Sequence, residues 1–509
     1  MGENPTWQNP YVFRLKACVL SGFLLIDVEC GYTHDYGKLS KRISWLGTHE
    51  RYMETLSLEA YLKELDFRLR RYIPPANDWT PVEKAIFQPS DPYRVELKTA
   101  EVMQFEAIRF AFQHHFEHNQ MYRNFCIDHG VYPTDLRRTE DLEKIPLIPD
   151  QFFKEHPSGR DFASWIANIF TGELPKINIS QSQPNFEQVI QAFNAAGLVI
   201  TYSSGTSGHQ TVIPRDRRTY NLSEYMLSKS AIAMTYPQWQ YNMSGYLLMP
   251  NPYKTNLYAG KVCQVYFDAI DDITVAIDRQ ISAKYIRMTM SNEKGIQPTL
   301  IRLLSHMASI RMINRIIDWL EKHQKTDRKI TFVGAPYLVW SVLNRLKRQG
   351  RGFDFSHRGG IITGGGWKIF EGQRLSTAEF RRQAQELLCF SPEFCLDVYG
   401  MVEGNGWMVQ CPEGHYLHVP YTYYKGMVLD KNFKPQPYGE WGRFAFLDSS
   451  ALSYPGFIIS GDMVRMLEHC PICDRPGPVL EPEIRRASGE DMRGCSEEVR
   501  RMFTADIGG

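Results

Sequence analysis

The sequence predicts an α/β protein in which a largely parallel sheet is flanked by helices. Short apolar runs typical of buried strands alternate with segments whose apolar residues recur every three or four positions, as along one face of a helix. Strands are predicted at 198–202, 245–249, 262–267, 331–333, 361–363 and 395–399, and helices within 100–130, before residue 198, along 301–320 and over 338–348. Because ligands bind beyond the carboxyl ends of the strands in such sheets, the candidate site comprises the loops at 203–208, 364–366 and 400–403.

The composition is that of a globular protein and argues against several classes of partner. A formal net charge of +1 gives no bulk attraction to nucleic acid or to an anionic membrane. No apolar run reaches the roughly 18 residues that a membrane span needs. The run at 17–28 is predicted to be a buried element rather than a signal peptide, because no cleavage site follows it. We therefore expect a cytoplasmic protein.

The 509 residues exceed what one simple core holds, so two or three domains are expected. A proline-rich stretch at 72–81 indicates a boundary. We predict an N-terminal extension of unknown role over 1–90, a core over 91–440, and a C-terminal subdomain over 441–509 that contains Asp462, a Cys-x-x-Cys pair and Cys495.

A run of small and hydroxyl residues directly follows the first predicted strand of the core. Its members are Ser203, Ser204, Gly205, Thr206, Ser207 and Gly208. Small residues let backbone N–H groups approach a phosphate, and the hydroxyls add further donors. The run is not a Walker A loop, since no Gly-Lys-Ser/Thr closes it. Taken alone, it also fits an ordinary surface loop.

Three further motifs follow in order along the chain. They are Thr363-Gly364-Gly365-Gly366-Trp367-Lys368, Tyr399-Gly400-Met401-Val402-Glu403 and Ser460-Gly461-Asp462. Each has a simpler interpretation as a turn or a solvated acid, but together with the first loop their order resembles that of the adenylate-forming superfamily. The resemblance implies that the first loop holds the phosphates of ATP, that the three glycines and the ring of Tyr399 contact adenine, and that Asp462 accepts both ribose hydroxyls. Glu403 then holds Mg²⁺, which prefers carboxylate and phosphate oxygens.

The finer resemblance is to acyl-protein synthetases of the LuxE type, the bacterial bioluminescence enzymes that activate fatty acids for a reductase. It covers about residues 95–509, and its motifs are Ile148–Lys154, Pro214–Asp216, Gly364–Lys368 and Arg493–Ser496. It implies ATP-dependent formation of an acyl-adenylate, then transfer of the acyl group to Cys495 as a thioester and on to a partner protein, a reductase or carrier. Only 47 residues follow Asp462, so we expect this fold to lack the full C-terminal lid domain of ordinary members.

Three residues, Cys495, Arg486 and Lys368, have expected roles in this chemistry. Arginines surround Cys495 in sequence and would lower the pKa of its thiol, and a thiolate is a strong nucleophile toward a mixed anhydride. Without the resemblance, an inert cysteine is the simpler interpretation. Arg486 can take a phosphate-binding role, although the family usually has Gly-Arg where this chain has Arg485-Arg486. Because a full lid with its lysine is expected to be absent, Lys368 is the candidate cation for the charge that develops at the α-phosphate. An ordinary surface lysine is the alternative.

Cysteines and histidines in the last hundred residues predict a structural zinc site. Cys470 and Cys473 form a Cys-x-x-Cys pair, and Cys411 and His418 stand about sixty residues earlier. Three cysteines and one histidine complete a tetrahedral zinc site. His418 is preferred over His415 because related phenylacetate-CoA-ligase-like enzymes share its spacing. Thiols without a metal are the alternative.

Two other functions stay open on the sequence alone. An acyl- or aryl-CoA ligase would use CoA as the acceptor, and consumption of CoA would identify it. A degenerate member would bind nucleotide or acyl groups without catalysis, as Val402 and Arg485 allow, and would not exchange pyrophosphate with ATP.

Overall fold

The computed structural model describes residues 12–20, 23–31, 56–204, 210–280, 296–366 and 375–487. The chain separates into two compact units, Met1–Thr55 and Leu56–Gly509. In the first unit, strands β1 (Val12–Leu20) and β2 (Phe23–Gly31) form an antiparallel hairpin. The apolar run predicted as a buried element lies within this hairpin. The described helices and the other described strands lie in the second unit.

Twelve α-helices are described, and they flank the sheet as the sequence predicts. They are α1 Leu58–Arg68, α2 Pro81–Phe87, α3 Leu97–His118, α4 Gln120–Asp128, α5 Gly159–Ile169, α6 Phe186–Ala195, α7 Arg217–Thr235, α8 Tyr258–Lys261, α9 Tyr266–Ala269, α10 Ile296–Gln324, α11 Pro336–Arg348 and α12 Thr377–Leu388. Local signals explain several starts; at α2, for example, Thr80 and Glu83 form a capping box around Pro81. No helix in the described part of the chain is long and apolar enough to cross a lipid bilayer.

One large mixed sheet and one small hairpin contain the strands of this unit. The strands are β3 Ile148–Pro149, β4 Val199–Tyr202, β5 Val212–Arg215, β6 Ser244–Pro250, β7 Asp272–Ile277, β8 Ile330–Gly334, β9 Gly359–Gly364, β10 Cys395–Tyr399, β11 Met408–Gln410, β12 Leu417–His418, β13 Tyr424–Leu429, β14 Trp441–Asp448, β15 Phe457–Leu467, β16 Val479–Leu480 and β17 Arg485–Arg486. In the large sheet the order is β13-β14-β15-β16-β12-β11-β10-β9-β8-β6-β7, and β3 and β17 pair with β15.

The parallel part of the large sheet confirms the predicted fold class. Strands β7, β6, β8, β9 and β10 are parallel neighbours, with Ile361 opposite Phe332 and Leu396 opposite Ile362. The strands from β11 to β13 in the sheet order pair antiparallel with one another, and β3 pairs parallel with β15. The chain of the C-terminal region therefore returns to the same sheet. Apolar side chains from both parts pack into one large core, and a second cluster lies under α10, α11 and α12.

One predicted strand is wrong, and another lies in an unexpected sheet. Residues 262–267 are a 3-10 turn, Val262–Val265, that runs into α9. A short apolar run buried on all sides fits either a helix or a strand, so its period does not decide between them. Strand β4 forms where predicted but pairs antiparallel with β5, in a sheet of its own.

The predicted domain boundaries at residues 90 and 440 stay predictions. Helices α1 and α2, within the predicted extension, contribute Leu62, Leu65, Val82 and Ile86 to the large core. The antiparallel strands after residue 440 join the same sheet as the core.

Candidate active site

A cavity of about 2140 Å³ opens beyond the carboxyl ends of the parallel strands. Its polar lining comes from elements far apart in sequence, and this lining includes most of the described residues that the motifs predicted. These are Ser203, Ser204, Gly364, Gly365, Gly366, Tyr399, Gly400, Glu403, Asp462 and Arg486. Apolar side chains such as Leu248, Val262 and Tyr266 line another part of the same cavity. The cavity thus offers both polar and apolar surfaces to a ligand.

The base of the first loop is closed by hydrogen bonds across the β4–β5 hairpin. The N–H of Ser203 donates to the carbonyl of Thr211 at 3.0 Å, and the N–H of Thr211 donates to Oγ of Ser203 at 3.0 Å. Ser203 and Ser204 therefore stand at the cavity on a fixed hairpin stem. The other members of the predicted loop, Gly205, Thr206, Ser207 and Gly208, lie outside the described residues.

The glycine run begins at Gly364, the last residue of β9, and continues into the loop that follows the strand. Gly365 and Gly366 have φ angles of 81° and 69°, in the left-handed region that glycine adopts without strain. A Cβ on Gly364 would lie 3.2 Å from the carbonyl oxygen of Val398 on the neighbouring strand β10. Two strands therefore approach closely here and leave backbone exposed to the cavity. Lys368, the predicted cation, lies outside the described residues.

Glu403 is buried at the cavity and is 5% exposed. The hydroxyl of Thr211 donates to Oε1 of Glu403 at 2.8 Å. Burial raises the pKa of Glu403, and the positive charge of Lys154 opposes this shift. A buried carboxylate at the edge of a large, partly polar cavity fits the oxygen ligands that Mg²⁺ prefers.

Arg215 holds the loop that carries Glu403, a role that the sequence did not predict. Its fully buried guanidinium donates to the backbone carbonyls of Val402 and Gly404 at 2.7 and 2.8 Å. The remaining bonds go to three side-chain oxygens: Oδ1 of Asn405 at 2.9 Å, Oγ1 of Thr201 at 2.7 Å and the hydroxyl of Tyr454 at 3.0 Å. The Pro214–Asp216 motif contained this residue, but its spacing gave no indication of the contacts.

Asp462 lies on β15 beside Tyr399 at the end of β10. The hydroxyl of Tyr399 donates to Oδ2 of Asp462 at 2.7 Å, and Nη1 of Arg486 lies 3.0 Å from Oδ1. Burial raises the pKa of the Asp462 carboxyl, while the guanidinium of Arg486 opposes this shift. The two strand ends thus bring Asp462, Tyr399 and Arg486 together at the cavity.

The predicted zinc ligands converge at the antiparallel part of the sheet. The ligand atoms of Cys411, His418, Cys470 and Cys473 all lie within 4.8 Å of one another. Sγ of Cys411 is 4.0 Å from Sγ of Cys470, and Nε2 of His418 is 3.3 Å from Sγ of Cys473. Zinc–sulfur bonds of about 2.3 Å place two tetrahedral sulfurs about 3.8 Å apart, so the donor set fits zinc. His415 instead directs Nε2 at the carbonyl of Pro392, at 3.3 Å.

Comparison with solved structures identifies the fold. An open conformation of 2-hydroxyisobutyryl-CoA ligase, in complex with its acyl-adenylate and CoA, superposes with a TM-score of 0.54 and 12% identity, over 84% of this chain and 83% of that one. The same ligase in its thioesterification state gives a TM-score of 0.52 and 13% identity, over 82% and 73% of the two chains. The protein therefore has the fold of the adenylate-forming ligases.

Sequence comparison finds similarity to a narrower group of proteins. A sequence model of the acyl-protein synthetase family, LuxE, matches residues 280–504. The long-chain-fatty-acid–luciferin-component ligase of Vibrio harveyi is 26% identical over 84% of this chain and 94% of its own length. Its counterpart from Aliivibrio fischeri is 24% identical over 79% and 88%. The predicted resemblance to LuxE-type acyl-protein synthetases is confirmed. The nucleophile predicted for this family, Cys495, lies outside the described residues.

Proposed function

We propose that this protein is an ATP-dependent, AMP-forming acyl-protein synthetase that activates a fatty acid and passes the acyl group through Cys495 to a partner protein. One observation carries the first half of this proposal. Glu403, Asp462 and the three-glycine end of β9 line a single cavity, which also has a large apolar surface. A nucleotide and an acyl chain need polar and apolar walls of this kind side by side.

In the first step, an oxygen of the fatty acid carboxylate forms a bond to the α-phosphorus of ATP. The bond from that phosphorus to the β-phosphate oxygen breaks, and its electron pair leaves with pyrophosphate. Ser203 and Ser204 are proposed to hold the departing phosphates with the remainder of their loop. Mg²⁺ bound at Glu403 would neutralise phosphate charge.

The nucleoside has its own proposed contacts. Backbone at Gly364, Gly365 and Gly366 and the ring of Tyr399 would contact the adenine. Asp462 would accept hydrogen bonds from the ribose hydroxyls. In this structure its two carboxylate oxygens contact Tyr399 and Arg486 instead. Arg486 is 76% exposed in its side chain, so it is free to move from Asp462 to a phosphate when nucleotide binds.

In the second step, the thiolate of Cys495 attacks the acyl carbonyl and AMP leaves, which gives a thioester. The relatives that match most of this chain are named as ligases of a long-chain fatty acid and a luciferin component. The acceptor is accordingly proposed to be a protein, a reductase or an acyl carrier, and the protein is proposed to act in the cytoplasm. A CoA ligase is the competing proposal, since the superposed structures are CoA ligases.

The decisive experiment is intact-mass spectrometry after incubation with ATP, Mg²⁺ and a panel of fatty and aromatic acids. We expect an acyl adduct that hydroxylamine removes and that Cys495→Ala abolishes, while Cys495→Ala still exchanges pyrophosphate with ATP. An adduct that persists in Cys495→Ala would exclude this cysteine as the carrier. Acid-dependent AMP formation that requires CoA and gives no adduct would support the CoA ligase. Absence of any acid-dependent ATP–pyrophosphate exchange would indicate a degenerate member that binds nucleotide or acyl groups without catalysis.

A structural zinc ion is proposed at Cys411, His418, Cys470 and Cys473. The donor set and its spacing support zinc, and burial lowers the pKa of His418 to about 3, which keeps the ring in the neutral form that binds metal. When bound, the ion would join the loop after β11 to the segment between β15 and β16. It would supply structural stability rather than chemistry.

A further inference from the structure

The segment Ile148–Lys154 reaches the candidate active site, although none of its residues has a role in the proposed function. Strand β3 runs parallel to β15, with Ile148 opposite Ile458. A 3-10 turn, Asp150–Phe153, then reverses the chain at the cavity. Phe152 and Phe153 are 1% and 0% exposed, and their burial fixes this turn in the core. The residue that follows the turn, Lys154, is therefore held in a defined place.

Asp150 connects this turn to the strand that carries Asp462. Its Oδ2 accepts the N–H of Gly461 at 3.2 Å and also pairs with the ammonium of Lys154. The carboxylate is 6% exposed and the lysine side chain is 20% exposed, so the pair lies largely out of water. Among the lysines that the structure describes, Lys154 is the one that lines the cavity.

The charge of Lys154 acts on both acidic residues proposed to bind the nucleotide. Lys154, Glu403 and Asp462 line the same cavity, and Asp150 joins Lys154 to the backbone of Gly461, the residue next to Asp462. The ammonium thus lies within electrostatic reach of the proposed Mg²⁺ ligand and of the proposed ribose ligand. In a bound ATP, the α-phosphate would lie between the ribose and the outer phosphates, whose charge Mg²⁺ held at Glu403 would neutralise.

We propose that Lys154 contacts the α-phosphate and offsets the charge that develops on its non-bridging oxygens during adenylation. This inference rests on the proposed function and identifies a residue for its first step. As the carboxylate attacks and pyrophosphate departs, negative charge accumulates on those oxygens, and a fixed ammonium in a water-poor site stabilises it. No proton moves in this step, so Lys154 stays an ammonium throughout. Asp150 orients the ammonium before ATP binds.

A purely structural role for the Asp150–Lys154 pair is the competing explanation, and two substitutions separate the roles. Lys154→Met keeps most of the apolar stem and removes the charge. Asp150→Asn keeps an acceptor oxygen for the N–H of Gly461 but breaks the ion pair. If the pair were only a brace, both variants would lose activity to the same extent. If Lys154 contacts the phosphate, Asp150→Asn should retain far more activity.

The test is acid-dependent ATP–pyrophosphate exchange, with kcat and the KM for ATP measured separately. Loss of one transition-state donor typically costs about 10²–10³-fold in kcat, so we expect about that loss in Lys154→Met and partial recovery in Lys154→Arg. Lys144→Met is the matched control, because Lys144 pairs with Asp141 outside the cavity; it should exchange at the wild-type rate. Thermal melting of each variant reports its folding.

The outcomes distinguish this inference from the proposed function. Exchange by the wild type with an unchanged kcat in Lys154→Met would overturn the role of Lys154 and leave the proposed function intact. Equal losses in Lys154→Met and Asp150→Asn would assign the pair to bracing and also overturn it. No exchange by the wild type with any acid would refute the proposed function, and the role of Lys154 would fall with it.

Discussion

Replacing Arg215 by lysine tests whether its buried guanidinium holds the loop that carries Glu403. The guanidinium makes five hydrogen bonds, to Asn405, Thr201, Val402, Gly404 and Tyr454. A lysine ammonium keeps the charge but has three donors, so at least two of these five acceptors lose their partner. The residue is fully buried, and water does not replace the lost donors.

The structure sets the size of the expected effect. A buried polar group left without a partner costs about 1–3 kcal/mol, so two of them lower the free energy of unfolding by roughly 2–6 kcal/mol. The two orphaned acceptors are the carbonyl of Val402 and Oδ1 of Asn405 if the shorter ammonium fails to reach the loop, because the carbonyl of Gly404 also accepts from the hydroxyl of Tyr258 at 3.3 Å. Glu403 lies between them, and a misplacement of about 1 Å costs on the order of 100-fold in rate.

Unfolding in guanidinium chloride, followed by tryptophan fluorescence, measures the loss of stability. ATP–pyrophosphate exchange measures the loss of rate. Arg217→Lys is the control, because Arg217 is exposed and only two residues away; its free energy of unfolding should change by less than about 0.5 kcal/mol. A change equally small in Arg215→Lys would refute the argument, since the five bonds would then contribute nothing that an ammonium cannot supply.

Two further predictions concern the metal cluster and a buried acid. Cys470→Ser should lower bound zinc from about one ion per chain to a small fraction, measured by elemental mass spectrometry after dialysis; the buried Cys126→Ser, remote from the cluster, should keep its zinc. Glu224 has no hydrogen-bond partner for either carboxylate oxygen among the described residues, and burial raises its pKa from 4.5 to about 8. The protonated form of Glu224 stabilises the folded state. The free energy of unfolding should therefore fall as the pH rises from about 4.5 to about 8, by up to about 1.4 kcal/mol per pH unit. Glu224→Gln should flatten this slope in denaturation series between pH 5 and 8, whereas the exposed Glu101→Gln should not; an unchanged slope in Glu224→Gln would contradict the assignment.

The parallel strands and long helices could be predicted because their signals are local. The apolar spacing along α10 reflects core packing at Ile317 and Leu320, whereas Met307 and Ile310 of the same spacing are exposed. The strands β8, β9 and β10 are short apolar runs, each followed by a small residue. The 3-10 turn at Val262–Val265 escaped prediction because so short an apolar run does not show the period that distinguishes a helix from a strand.

The candidate site divides in the same way. Glu403 and Asp462 stood out because their motifs follow the order of the adenylate-forming superfamily. The cysteine pair stood out because its spacing suits a zinc site. Thr211, Asp150 and Lys154 did not receive a role, since nothing in their local sequence indicates which distant groups they meet.

The sequence by itself determined the class of protein, through the order of its motifs and the periods of its apolar residues. The tertiary structure alone decided which side chains share the cavity. Thr211 contacts Glu403 across 192 residues of chain, and Asp150 meets Gly461 across 311. Such contacts follow from the pairing of β3 with β15 and the return of the C-terminal strands to the sheet. Local propensity carries no information about which distant segments pair, because burial of the whole core selects the pairing.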